Sequence, residues 1–187
     1  ATGLWPSEHG VTGWHTYLPD RDLTVLPLKA SERFSRKPLK SFDIGFRDVV
    51  QPESIIAQYG CSKRVFMKKA IRGGAFAKWA FFGITRTGSS TFAHSFKRLR
   101  GHVRNMTEPA YSHLYIDDID SMSHRHGPTG TGVQSLIGTI DKELSQLREV
   151  AGDHVRIIVT ADHGHIEVDP ERHYLLHHDD PLLQLLK

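Results

Sequence analysis

The stretch Val133–Thr160, VQSLIGTIDKELSQLREVAGDHVRIIVT, decides the fold class. Val133, Leu136, Ile137, Ile140, Leu144, Leu147 and Val150 recur three or four residues apart, which makes one apolar stripe on a helix from 133 to 150. Gly152 and Asp153 end it. Val155–Thr160 is then a short, nearly all-apolar run, the pattern of a strand buried on both faces of a parallel sheet. A long amphipathic helix feeding such a strand is the repeating element of α/β folds.

Upstream the same alternation returns. Phe92, Phe96, Leu99 and Val103 are spaced for a helix over 89–102, with Lys97, Arg98, Arg100 and Arg104 on its outer face. Residues 111–117 alternate and are rich in Tyr, Leu and Ile, which predicts a strand, and a polar, Gly-rich loop is expected from there to Gly132. Pro52 suits a first helical turn and Gly60 a helix stop, so 52–59 reads as a helix, followed by a strand over 64–67. Residues 73–86 fit no clean period. Repeated helix–strand units imply a mostly parallel sheet covered on both faces, a three-layer α/β/α architecture. Residues 51–187 form this repeating core; residues 1–50, rich in Pro, Gly and short polar side chains, are expected to be loop-rich.

The 187 residues are 39% hydrophobic and 24% charged, enough for one domain with its own core, and neither disordered nor fibrous. The single Cys61 forbids an internal disulfide, and no apolar run is long enough to span a membrane. The chain starts at Ala1 without a visible signal peptide and is read as a piece of a longer protein. Charge is unevenly spread: residues 54–107 contain no acid and 11 Lys or Arg. Nine of the 13 His lie from His113 onward.

Two of the expected strands run into polar residues of one chemical type. The first leads to Asp120 and His124, the second to Asp162 and His163. Ligands in open α/β sheets sit at the carboxyl ends of strands. One carboxylate and one imidazole per strand end are the oxygen and nitrogen donors that Zn²⁺ takes. Two such pairs side by side would hold two ions about 3.5–4 Å apart, the spacing of two-metal phosphoryl-transfer sites. Asp162-His163-Gly164 alone is a common loop tripeptide and the Asp120-x-x-x-His124 spacing alone is equally weak; their placement after two core strands linked by one helix is what carries weight.

These blocks also match a family pattern. Tyr115-Ile116-Asp117-Asp118-Ile119-Asp120 with His124, Gly127 and Pro128, then Asp141, then Thr160-Ala161-Asp162-His163-Gly164, resemble in order the type I phosphodiesterase/nucleotide pyrophosphatase family of the alkaline phosphatase superfamily. Thr2-Gly3-Leu4-Trp5-Pro6-Ser7-Glu8-His9-Gly10-Val11 resembles the segment just downstream of that family's nucleophile. The resemblance implies an alkaline phosphatase-like fold, with the whole chain as one partial catalytic domain. It implies Asp120 and His124 on one Zn²⁺ and Asp162 and His163 on the other, with Mn²⁺ the alternative metal. It implies hydrolysis of a phosphodiester or pyrophosphate in a small-molecule or nucleotide substrate, through a covalent enzyme intermediate that water then cleaves. The family's Thr or Ser nucleophile and its Asp ligand are expected before Ala1, which would leave the chain inactive alone. A further His ligand is expected beyond Lys187, with His173, His177 and His178 the nearby alternatives. Ser123 stands where many members have Gly.

A phosphomutase or sulfatase of the same superfamily is the second reading. A non-catalytic module that binds nucleic acid or a partner is the third: Phe76, Trp79, Phe81 and Phe82 interleave with Lys68, Lys69, Arg72 and Lys78, as in a stacking groove for single strands. Against it, a basic stretch is more often a solvated face, and aromatics are more often core. His126 and His165 flank the ligand set and are expected to support it by hydrogen bonding. His9 is expected to fix a turn, and His94, His102 and His154 to lie on the surface.

Overall fold

The computed structural model describes residues 2–50, 52–169, 171 and 181. They fall into two compact units. One comprises the residues through Ile116 together with Ile140–Arg156, the other Asp117–Thr139 together with the described residues from Ile157 on. No helix among the described residues is long and apolar enough to cross a membrane.

In the first unit, residues 2–50 are mostly short turns, as the Pro and Gly content predicts, but they also carry a small sheet that composition did not announce. Helix α1 (Pro6–His9) is followed by the antiparallel strands β1 (Thr16–Leu18), β2 (Leu23–Leu26) and β3 (Ser31–Glu32), and then by the single-turn helix α2 (Phe46–Val49). Val25, Leu39, Ile44, Val49 and Val50 close a core around it. His9 does fix a turn: its Nδ1 accepts the Val11 N–H at 3.1 Å.

The main sheet is parallel, with strand β4 (Ser62–Lys68) at its centre between β5 (Thr85–Ser89) and β6 (Ala110–Leu114). Phe66 is level with Thr87 on one side and Leu114 on the other. Alternation along β4 sends neighbouring side chains to opposite faces. Val65 and Met67 join Ile56, Ala77, Ala80, Phe81 and Ile84 beneath helix α3 (Ala75–Ala80). Phe66 turns the other way, toward helix α4 (Phe92–Arg104), which packs on all three strands and buries Phe96, Leu99 and Val103. Thr91 caps α4 by accepting the His94 N–H at 3.2 Å. The sheet is therefore covered on both faces, and the α/β class with parallel strands holds.

Several sequence expectations need correction. The helix expected over 52–59 is only a tight turn at Ile55–Gln58, too short to bury a face. The aperiodic 73–86 resolves into α3 and the start of β5. The loop expected up to Gly132 contains helix α5 (Asp118–His126) before α6 (Thr131–Ala151). Val155 is extended, but 155–160 joins no ladder, and Ile158 and Val159 are 79% and 70% exposed. Apolar composition favours a strand only where a neighbour supplies hydrogen bonds, and no described strand pairs here. His102 is half-buried rather than on the surface, its ring 5.7 Å from Phe66. Burial, with the Arg64 cation adding to it, lowers its pKa below the ordinary imidazole value.

Of the aromatics in the basic stretch, Phe76, Trp79 and Phe81 belong to the core. Trp79 Nε1 donates to the Pro52 carbonyl at 3.1 Å. Phe82 alone of the four is largely exposed.

Candidate metal centre

Helix α5 forms without an apolar stripe. Its first turn carries the Asp118 and Asp120 carboxylates and its last turn the Arg125 cation, charges that complement the helix dipole at each end, with His124 and His126 on either side of Arg125. The helix converts the Asp-x-x-x-His spacing into a neighbouring pair on one face. Asp120 Oδ1 and His124 Nε2 lie 3.3 Å apart.

The segment after α6 brings the other residues to the same carboxylate. His163 Nε2 is 4.0 Å from Asp120 Oδ1 and 3.7 Å from Asp162 Oδ2. Asp162 Oδ1 accepts the backbone N–H of His163 at 3.1 Å, which orients the carboxylate. His163 Nδ1 is 3.0 Å from the Gly164 carbonyl. A carbonyl only accepts, so Nδ1 carries the proton, and in the neutral ring Nε2 presents its lone pair toward Asp120 and Asp162. This bond, followed by the nearby Asp162, raises the His163 pKa above its ordinary value; slight desolvation opposes it and Asp120 adds to it.

The four residues expected from sequence thus share one neighbourhood. It also contains His165, assigned only a supporting part from sequence: its Nε2 stands 3.2 Å from Asp120 Oδ1. Asp120, His124 and His165 each present one donor atom within 4.8 Å of the others. No local spacing marks His165 for this group; the path of the chain after Gly164 brings it there. His126 is exposed and outside this group. His173, His177, His178 and the apolar run 182–186 lie outside the described residues.

Two oxygens-and-imidazole sets meeting at one carboxylate fit a divalent cation: the donors are the hard oxygen and borderline nitrogen types that Zn²⁺ and Mn²⁺ take. The class so defined is an α/β protein with a candidate divalent-metal centre of Asp and His. The type I phosphodiesterase/nucleotide pyrophosphatase family matches residues 1–185, and the chain belongs to that family. No curated protein sequence matches it. Among solved structures, murine ectonucleotide pyrophosphatase/phosphodiesterase 5, an inactive variant in complex with AMP, aligns with a TM-score of 0.47 at 16% identity. The alignment covers 80% of this chain and 38% of that one.

Proposed function

We propose that this chain contributes the metal-holding part of an enzyme that hydrolyses phosphodiester or pyrophosphate bonds, in a nucleotide or another small phosphoester. Asp120 and His124 would hold one divalent ion, and Asp162 and His163 a second, with Zn²⁺ the first choice and Mn²⁺ the alternative. The observation that carries the reading is the position of Asp120 Oδ1, 3.3 Å from His124 Nε2 and 4.0 Å from His163 Nε2.

Divalent ions at such a site supply Lewis acidity toward a phosphoryl oxygen and offset the charge that develops on it. The protein's own part is positional. Helix α5 sets the Asp120–His124 pair, and the Gly164 carbonyl keeps His163 in the tautomer whose Nε2 faces the site. As metal ligands the four side chains would hold and orient, their lone pairs committed to the ions. Site side chains between 47% and 83% exposed leave the cluster open to a polar substrate.

Equilibrium dialysis with Zn²⁺ tests the reading. The wild-type chain is expected to bind zinc at micromolar concentration, and Asp120→Ala and His163→Ala to lose it. A zinc-loaded chain should then retain a nucleoside monophosphate that the metal-free chain does not. Wild-type protein that binds no zinc, or variants that bind it as the wild type does, would overturn the proposal.

A further inference from the structure

We infer that His165 is itself a ligand, completing with Asp120 and His124 a three-residue site for one divalent ion. This rests on the proposed metal-dependent function and goes beyond the four ligands that function assigns.

Three observations carry it. The first is distance. In a tetrahedral zinc site with bonds of about 2.0–2.1 Å, neighbouring donor atoms are about 3.3–3.4 Å apart. Asp120 Oδ1 lies 3.3 Å from His124 Nε2 and 3.2 Å from His165 Nε2, both close to such an edge. The second is orientation. The two rings stand at 87° with centroids 5.1 Å apart, so they converge on the carboxylate from different directions instead of stacking. The third is which oxygen is faced. An ion held through one carboxylate oxygen needs its other donors beside that same oxygen. His165 and His124 both face Asp120 Oδ1.

Burial adds to this. The His165 side chain is 20% exposed, against 69% for His124 and 55% for His163. It is the innermost imidazole of the three, and a ligand there would close the protein side of the ion while the exposed side admits substrate. Asp162 and His163 then stay with the second ion.

The test loads nitrogen-labelled protein with NMR-active cadmium in place of zinc. Scalar coupling between cadmium and an imidazole nitrogen arises only through a coordination bond. Coupling to the Nε2 atoms of both His124 and His165, the latter assigned by its disappearance in His165→Ala, is the expected result. Coupling to His124 alone would overturn the inference and leave the proposed function standing. Coupling to neither would overturn both. In parallel, His165→Ala should weaken zinc binding at that site by more than about 100-fold, beyond the 10–100-fold that loss of a supporting hydrogen bond costs. His126→Ala should leave it unchanged, and equal losses in the two variants would count against His165.

Discussion

The carboxylate of Glu167 lies directly over the backbone of Gly127: a Cβ built on Gly127 would stand 2.8 Å from Glu167 Oε1. Glu167 Oε2 also accepts a hydrogen bond from Thr129 Oγ1 at 3.0 Å. The turn that ends α5 is thereby tied to the segment carrying Asp162, His163 and His165. Gly127 has φ +73° and ψ 153°, a conformation that is essentially glycine-only. Gly127→Ala should therefore cost about 1–3 kcal/mol of backbone strain. The Glu167 tip can swing aside, but doing so gives up the Thr129 bond. Urea unfolding should show the loss, and zinc affinity should fall with it. An unchanged unfolding midpoint would mean that the turn relaxes freely.

The His163 imidazole holds its proton to higher pH than the ordinary value of 6.5, first through the Gly164 carbonyl and then through Asp162. A folded-state pKa above the unfolded one favours the folded chain at pH below 6.5, and that contribution is lost as pH rises through the folded pKa. Histidine NMR should place the His163 midpoint above 6.5 in the metal-free chain. Asp162→Asn keeps the oxygen that accepts the His163 N–H and removes the charge, so it should move the midpoint down. Because a metal ligand must be unprotonated, zinc affinity should rise with pH across the same range. A midpoint insensitive to Asp162→Asn would count against the Asp162 contribution.

What the sequence disclosed and what it hid follow from the range of the forces involved. Helices α4 and α6 were legible because burying one face imposes a period on the chain; Phe96, Leu99 and Val103 in one, and Val133, Leu136, Ile140 and Leu147 in the other, are all buried. Helix α5 was missed because charge at its ends, not an apolar stripe, marks it. Strand β5, Thr-Arg-Thr-Gly-Ser, has neither apolar alternation nor strong strand formers throughout; its register against β4 defines it, and pairing is not local. The opposite error at 155–160 has the same origin, since apolar composition does not specify a partner. Asp120 with His124, and Asp162 with His163, were legible as pairs because short spacings hold each pair together, but the approach of His163 to Asp120 depends on distant contacts. His165 needed the path of the chain after Gly164.

Glu32 on β3 is 4% exposed, yet its carboxylate is fully engaged by its own turn. It accepts the Phe34 N–H at 2.7 Å, the Ser35 N–H at 2.5 Å and the Ser35 hydroxyl at 2.6 Å. These bonds, the Phe34 N–H foremost and then the Ser35 hydroxyl, hold its pKa below the ordinary 4.5 against the opposing effect of burial. The sign is that of a depressed acid: the contribution is present above pH 4.5 and lost as pH falls through the folded pKa. Unfolding free energy measured at about pH 5 and about pH 3 should fall more steeply for wild type than for Glu32→Gln, which cannot titrate. Equal slopes would show that the turn does not sense the charge.

Arg100 on α4 forms an ion pair with Glu143 on α6, with only 17% and 16% of the two side chains exposed. It recasts part of the acid-free basic stretch. Arg86 likewise donates to the carbonyls of Ala77 and Phe81, at the end of α3, and Lys63 to those of Ala57 and Tyr59. Three of the eleven cations in 54–107 thus hold the fold together, and regional charge is in part structural. The Arg100 pair gives the sharpest test. Removing one partner leaves an uncompensated charge in a poorly solvated place, so Glu143→Ala and Arg100→Ala should each cost about 3 kcal/mol in urea unfolding. Replacing both at once, Arg100→Met with Glu143→Leu, removes the desolvation penalty along with the attraction and should return stability to near wild type. Single variants within about 0.5 kcal/mol of wild type would place the pair with solvent-screened surface contacts instead.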